Sequence, residues 1–128
     1  MFRGNKIFEP PRYMSVNEAS QQLLEVIESR KEEGKDSGSH TTINHSMYEN
    51  ASLASLSVLT ADSLCVCLAR VGADDQRIVV TSLRECATDA VDVGAPLHSL
   101  VIPGELHDME KSFLRLYALN DDVRKLLL

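Results

Sequence analysis

Leu64-Cys65-Val66-Cys67-Leu68-Ala69 is an uninterrupted apolar run, and Gly72-Ala73-Asp74-Asp75 follows it with turn chemistry. A run this short, with no polar alternation, reads as a β-strand covered on both faces. Covering both faces requires other layers, so the residues around it must supply helices. Arg77 to Thr81 is placed to return beside the first strand. A third strand is expected over Leu97 to Ile102, entered through Gly94-Ala95-Pro96 and left at Pro103-Gly104. The fold class is therefore α/β, or α+β layered, with a mixed sheet packed by helices. Three strands are few for a sheet that buries so apolar a strand, so the sheet is read as incomplete, with an edge open to pairing.

Upstream, Ser15 and Glu18 form an S-x-x-E capping pattern, in which each side chain satisfies a backbone donor at a helix start. Val16, Ala19, Leu23, Val26 and Ile27 then recur at helical spacing, which predicts a helix from Val16 to Glu32 with Gly34 as its stop. Before it, Pro10-Pro11 favours extended chain. After it, the polar, Ser-, Thr- and His-rich stretch over 35–50 reads as a flexible surface insertion, and Ala51 to Leu59 as a short helix capped by Asn50. Downstream, Ser82 and Glu85 repeat the capping pattern and predict a short helix over Leu83 to Asp89. Leu106 to Ala118 reads as a helix with Met109, Phe113, Leu116 and Tyr117 on its docking face, followed by a last helical turn after Asn120. Residues 1–128 are expected to form a single partial domain.

The chain has 128 residues, 44% of them hydrophobic, with no Trp, three Phe and three Tyr, so the core must be aliphatic. Its net charge of -6, with scattered basic residues, opposes a phosphate backbone, and nucleic acid is not expected as a partner. No apolar run approaches the roughly 20 residues that span a bilayer, and Met1 to Arg12 does not read as a signal peptide, so no membrane is expected and a cytoplasmic location is. Three cysteines do not suggest a disulfide framework. Cys65 and Cys67 with His98 and His107 do not have zinc-ligand spacing, so no metal is expected and the cysteines read as small apolar residues.

Neither a nucleophile elbow, a Walker loop nor an H-E-x-x-H pair occurs. No catalytic residue is assigned. His98, beside Pro96 at a strand start, reads on its own as a half-buried histidine with one satisfied hydrogen bond. Arg70-Val71-Gly72 ends the buried strand, where ligands approach open α/β sheets, although a glycine there also simply makes a turn.

Three segments in order, Glu9-Pro10-Pro11-Arg12-Tyr13-Met14-Ser15-Val16-Asn17-Glu18-Ala19, Leu64 through Gln76, and Pro96-Leu97-His98-Ser99-Leu100-Val101-Ile102, resemble the C-terminal region of the diphthine synthases. Leu106-His107-Asp108-Met109-Glu110 extends the likeness. The resemblance implies the C-terminal domain of a tetrapyrrole-methylase-like methyltransferase. In that family two α/β domains hold S-adenosyl-L-methionine between them, release S-adenosyl-L-homocysteine, and methylate the modified histidine of elongation factor 2 during diphthamide biosynthesis. It places Val71 and His98 at the cofactor and implies a homodimer. The N-terminal domain of that family is not represented, so the chain is expected to be inactive alone. The second reading is a non-catalytic interaction or dimerisation module derived from the same family.

Overall fold

The computed structural model describes residues 12–36 and 59–128. In chain order these form α1 (Val16–Asp36), β1 (Leu64–Ala69), β2 (Arg77–Ser82), α2 (Leu83–Cys86), β3 (His98–Val101), α3 (Asp108–Leu114), a 3₁₀ turn (Arg115–Tyr117) and α4 (Asp121–Leu126). The insertion expected over 35–50 lies outside the described residues, except that residues 35 and 36 continue α1. The helix expected over Ala51 to Leu59 also lies outside them, except for Leu59, which is not helical.

The apolar run forms the central strand of the sheet, whose order is β2-β1-β3. Both of its ladders are antiparallel, pairing Cys67 with Val79 on one side and with Leu100 on the other. Of the mixed sheet expected with the fold class, the one parallel pairing among the described residues is the bridge between Val80 and Ala118, with Leu119 N–H donating to the Val80 carbonyl at 2.9 Å. That bridge covers part of the outer side of β2. Among the described residues β3 pairs only with β1.

Strand geometry sends alternate side chains to opposite faces. Cys65, Cys67 and Ala69 pack with Val16 and Ile27 of α1 and with Leu83 and Cys86 of α2, joined by Val91 and Val93 from the following loop. Val66 and Val80 face the other way, against Val123 and Leu127, with Leu106, Leu114 and Tyr117 packed around them. Both faces of β1 are thus covered, as its composition requires.

The capping box at Ser15 is formed: Glu18 N–H donates to Ser15 Oγ at 3.2 Å, and Ser15 N–H to Glu18 Oε2 at 3.0 Å. The buried stripe of α1 runs through Val16, Ser20 and Ile27, with Leu23 and Leu24 half-buried, whereas Val26 is exposed. Gly34 does not stop the helix, since an exposed glycine only weakens one that is anchored elsewhere. The helix expected over Leu106 to Ala118 begins instead at Asp108, because His107 caps it. His107 Nδ1 accepts from Met109 N–H at 3.2 Å, and Glu110 Oε2 accepts from His107 N–H at 2.8 Å. It tightens to 3₁₀ geometry at Arg115, and none of its residues is buried. Met109, Phe113 and Leu116 are exposed, contrary to the docking face expected for them, and only Tyr117 of that set packs inward.

Glu85 ties three elements together. Its Oε2 accepts from Thr81 Oγ1 at 2.9 Å and from Ser82 Oγ at 3.3 Å, and its Oε1 from Asn120 Nδ2 at 2.9 Å. Burial works to raise the carboxyl's pKa, but the hydrogen bonds from Asn120, Thr81 and Ser82 outweigh it and hold the group below its ordinary value. Asn120 also caps α4 by accepting from Val123 N–H at 2.9 Å. Replacing Asn120 with alanine removes a cap and a donor to a charged group, an expected loss of about 2 kcal/mol. A group with a lowered folded-state pKa stabilises the fold above the ordinary glutamate range and loses that effect as pH falls through the folded value. The gap between the urea midpoints of the two proteins should therefore be widest near neutrality and narrow in acid to the part due to the lost cap.

Candidate functional site

The C-terminal end of β1 gathers the residues singled out in the sequence. Ala69 pairs directly with His98, so Val71, two residues beyond Ala69, emerges at the same end of the sheet although 27 positions separate it from His98. The chain leaves β1 through two left-handed residues, Arg70 at φ 50° and Gly72 at φ 88°. Glycine adopts this conformation freely, but arginine does so against steric cost. The Arg70 side chain anchors the turn. It donates from Nη1 to the Ala95 carbonyl and from Nη2 to the Asp75 carbonyl at 3.0 Å. Its Nε lies 2.8 Å from Asp75 Oδ2, close as an ion pair but not aligned as a hydrogen bond. Gly94, at φ 79°, lets the guanidinium lie against it, since a Cβ there would sit 3.4 Å from Nη2.

The turn closes on itself, with Ala73 N–H donating to the Arg70 carbonyl at 3.0 Å and Gly72 N–H to Gln76 Oε1 at 2.9 Å. Val71 at its tip is 65% exposed, and Leu97 across from it is 62% exposed. Among the described residues the Val71 backbone engages no hydrogen-bond partner. An apolar side chain beside an unpaired peptide N–H and C=O can hold the edge and face of a flat heterocycle.

His98 is already engaged through both ring nitrogens. Its Nδ1 accepts from Val16 N–H, the first turn of α1, at 3.2 Å, and its Nε2 lies 2.8 Å from the Gly94 carbonyl. The carbonyl can only accept, so Nε2 carries the proton and the ring is the neutral tautomer. The imidazole thus links the start of α1 to the 94–97 segment. The residue reading expected one satisfied hydrogen bond; there are two.

Two features escaped the sequence. Asn17 Nδ2 donates to the carbonyls of Cys86 at 2.9 Å, Thr88 at 3.0 Å and Val91 at 2.9 Å. Nothing in local periodicity marks such a residue. Cys86 joins Cys65 and Cys67, their three Sγ atoms lying within 4.8 Å of one another, all wholly buried. Cys67 and Cys86 are 3.2 Å apart, and Cys86 Sγ donates to the Val16 carbonyl at 3.6 Å. The spacing C-x-C showed that Cys65 and Cys67 share a face but not what meets them. Thiol hydrogen bonds to Cys67 and Cys86, then burial, raise the Cys65 pKa. For Cys67 the bond with Cys65 lowers the pKa, but the bond with Cys86 and burial push it up to about 12. Cys86 is lowered, accepting from Cys65 and Cys67. His98 and His107 are committed elsewhere, so the set considered from sequence is not assembled.

No protein-family profile matches the chain. Over 123 residues, 95% of its length, it is 42% identical to diphthine methyl ester synthase of Homo sapiens, and over 119 residues, 92% of its length, 43% identical to that of Schizosaccharomyces pombe. It spans about a third of those relatives, 35% and 33% respectively. The fold is similar to the crystal structure of a protein named as a diphthine synthase from Entamoeba histolytica, with a TM-score of 0.62 and 31% identity over 86% of this chain and 34% of that one. The antiparallel three-stranded sheet with its helices matches that neighbour's fold.

Proposed function

We propose that this chain, homologous over nearly its whole length to proteins named diphthine methyl ester synthase, supplies the second-domain share of an S-adenosylmethionine-dependent methyltransferase of diphthamide biosynthesis. The acceptor is the modified histidine of elongation factor 2, in the cytoplasm, and the working form is a homodimer. Residues 1–128 act as one partial domain, inactive without the partner domain. The observation that carries this reading is the relatedness along 95% of the chain, combined with its span of 35% of the human relative.

The cofactor reading rests on the end of β1, where Val71 offers an exposed apolar side chain and a backbone unpaired among the described residues. These residues fit one side of a nucleoside. S-adenosyl-L-methionine supplies an electrophilic methyl group on a sulfonium. What this chain contributes is placement: Arg70 fixes the turn that presents Val71, and His98 fixes the 94–97 segment beside it. In-line displacement depends mainly on alignment of donor and acceptor, so no general base need come from these residues. Half a site gives weak binding, because fewer contacts offset the cost of immobilising a ligand.

Two experiments test the reading. Calorimetric titration of the folded 128-residue chain with S-adenosyl-L-homocysteine should show weak or no binding; affinity equal to an intact relative would contradict the dependence on another domain. In a chimera, the chain replaces the matched third of the fission-yeast relative, and methyl transfer to elongation factor 2 is assayed. Activity is expected, with Val71→Glu raising the cofactor KM about tenfold or more while changing kcat less. A folded, inactive chimera would overturn the enzymatic reading and favour the interaction module.

A further inference from the structure

We propose that Cys65, Cys67 and Cys86 form a binding site for a divalent thiophilic metal ion of the zinc class, with the Ser20 hydroxyl as a fourth, neutral donor. The geometry carries the first part. Three thiol sulfurs from two elements, β1 and α2, converge within 4.8 Å of one another. A zinc ion bound at about 2.3 Å from each sulfur sets tetrahedral edges of roughly 3.8 Å, so the 3.2 Å pair of Cys67 and Cys86 must open by a fraction of an ångström. The positions are held from outside the cluster. Cys65 and Cys67 lie in the central strand, and Asn17 and Gln21 of α1 grip the carbonyls of Cys86 and Ala87.

A second observation points the same way. Ser20 is wholly buried, and its Oγ has no hydrogen-bond partner among the described residues. Orphaned buried hydroxyls are uncommon because each loses its hydration without replacement. Ser20 lies one helical turn after Val16, whose carbonyl receives the Cys86 thiol, so it leaves α1 on the same face as Val16. A bound cation would take up that free oxygen.

Charge selects the class of ion. Binding breaks three S–H bonds, forms three metal–sulfur bonds and releases three protons to solvent, with no change of oxidation state. A divalent ion with three thiolates leaves one net negative charge, beside the positive N-terminal end of the 21-residue α1. A monovalent copper ion would leave two such charges in an apolar core, a less favourable burial. The competing fate of the cluster is a Cys67–Cys86 disulfide, which requires an oxidant and closes the sulfurs to about 2.05 Å.

The test is to refold the full 128-residue chain under a non-thiol reductant with zinc or cobalt(II), remove excess metal, and measure metal content and the cobalt spectrum. One equivalent per chain with a thiolate-to-cobalt charge-transfer band is expected. Cys67→Ala and Cys86→Ala should weaken binding by about 100-fold or more, and Ser20→Ala by about tenfold, with unchanged far-ultraviolet dichroism. A folded chain that has three free thiols and takes up no metal overturns the proposal, as does binding that the cysteine variants leave intact. Should those variants not fold, X-ray absorption on the zinc-loaded wild type decides: three sulfur neighbours support the site, and a shell of nitrogen and oxygen alone refutes it.

Discussion

Asn17→Asp is expected to destabilise the fold by about 4 kcal/mol, a large part of the 5–15 kcal/mol that holds a typical domain together. One amide nitrogen feeds three carbonyls, those of Cys86, Thr88 and Val91. Aspartate has nearly the same shape but only acceptor oxygens when ionised, so three attractive contacts become repulsive ones around a half-buried carboxylate. Asn17→Ala removes the donor without adding charge, and about 3 kcal/mol is expected. Urea unfolding followed by circular dichroism measures both. An aspartate variant within about 1 kcal/mol of wild type would show that solvent readily replaces the amide.

His98→Phe should cost about 2 kcal/mol. The substitution keeps an aromatic ring in place but deletes both hydrogen bonds. Val16 loses the acceptor for its N–H at a position only 1% exposed, and Gly94 loses the donor to its carbonyl. The Val16 amide carries most of the loss because it is buried, whereas water can reach Gly94, which is exposed. Thermal unfolding gives the magnitude, and hydrogen exchange at the first turn of α1 locates it. A variant that lowers stability without faster exchange there would place the effect elsewhere.

Much of the layout was readable from residue pattern. The unbroken apolar run of β1 implied cover on both faces, and α1 with α2 on one side and α4 with the 115–118 segment on the other provide it. Capping at Ser15 and Ser82 followed from S-x-x-E spacing, because those bonds are local. His107 was missed as a cap since histidine is rarely counted among capping residues, although Glu110 three positions later completes the same reciprocal pair. The docking face assigned to Met109, Phe113 and Leu116 failed for another reason: periodicity shows which residues share a face, but only the surrounding layers decide whether it is covered. At the candidate site, the strand end and the turn glycine were visible, while Arg70 as the anchor of its own turn was not, because its partners at Asp75 and Ala95 are set by the tertiary fold. The third cysteine was hidden for the same cause. Cys67 and Cys86 are 19 residues apart, and only the return of β2 into α2 brings them together.

The bonds from Asn17 and Gln21 also say something about the order of assembly. β1 and β2 close a short turn, and β3 joins them after a moderate excursion, but the grip of α1 on the end of α2 and the segment after it spans separations of 66 to 74 positions. Closing so long a loop costs entropy before any contact repays it. The hairpin is thus the natural seed, and α1, helical by local preference yet held in place by remote carbonyls, is the piece that settles last and is first to lift away.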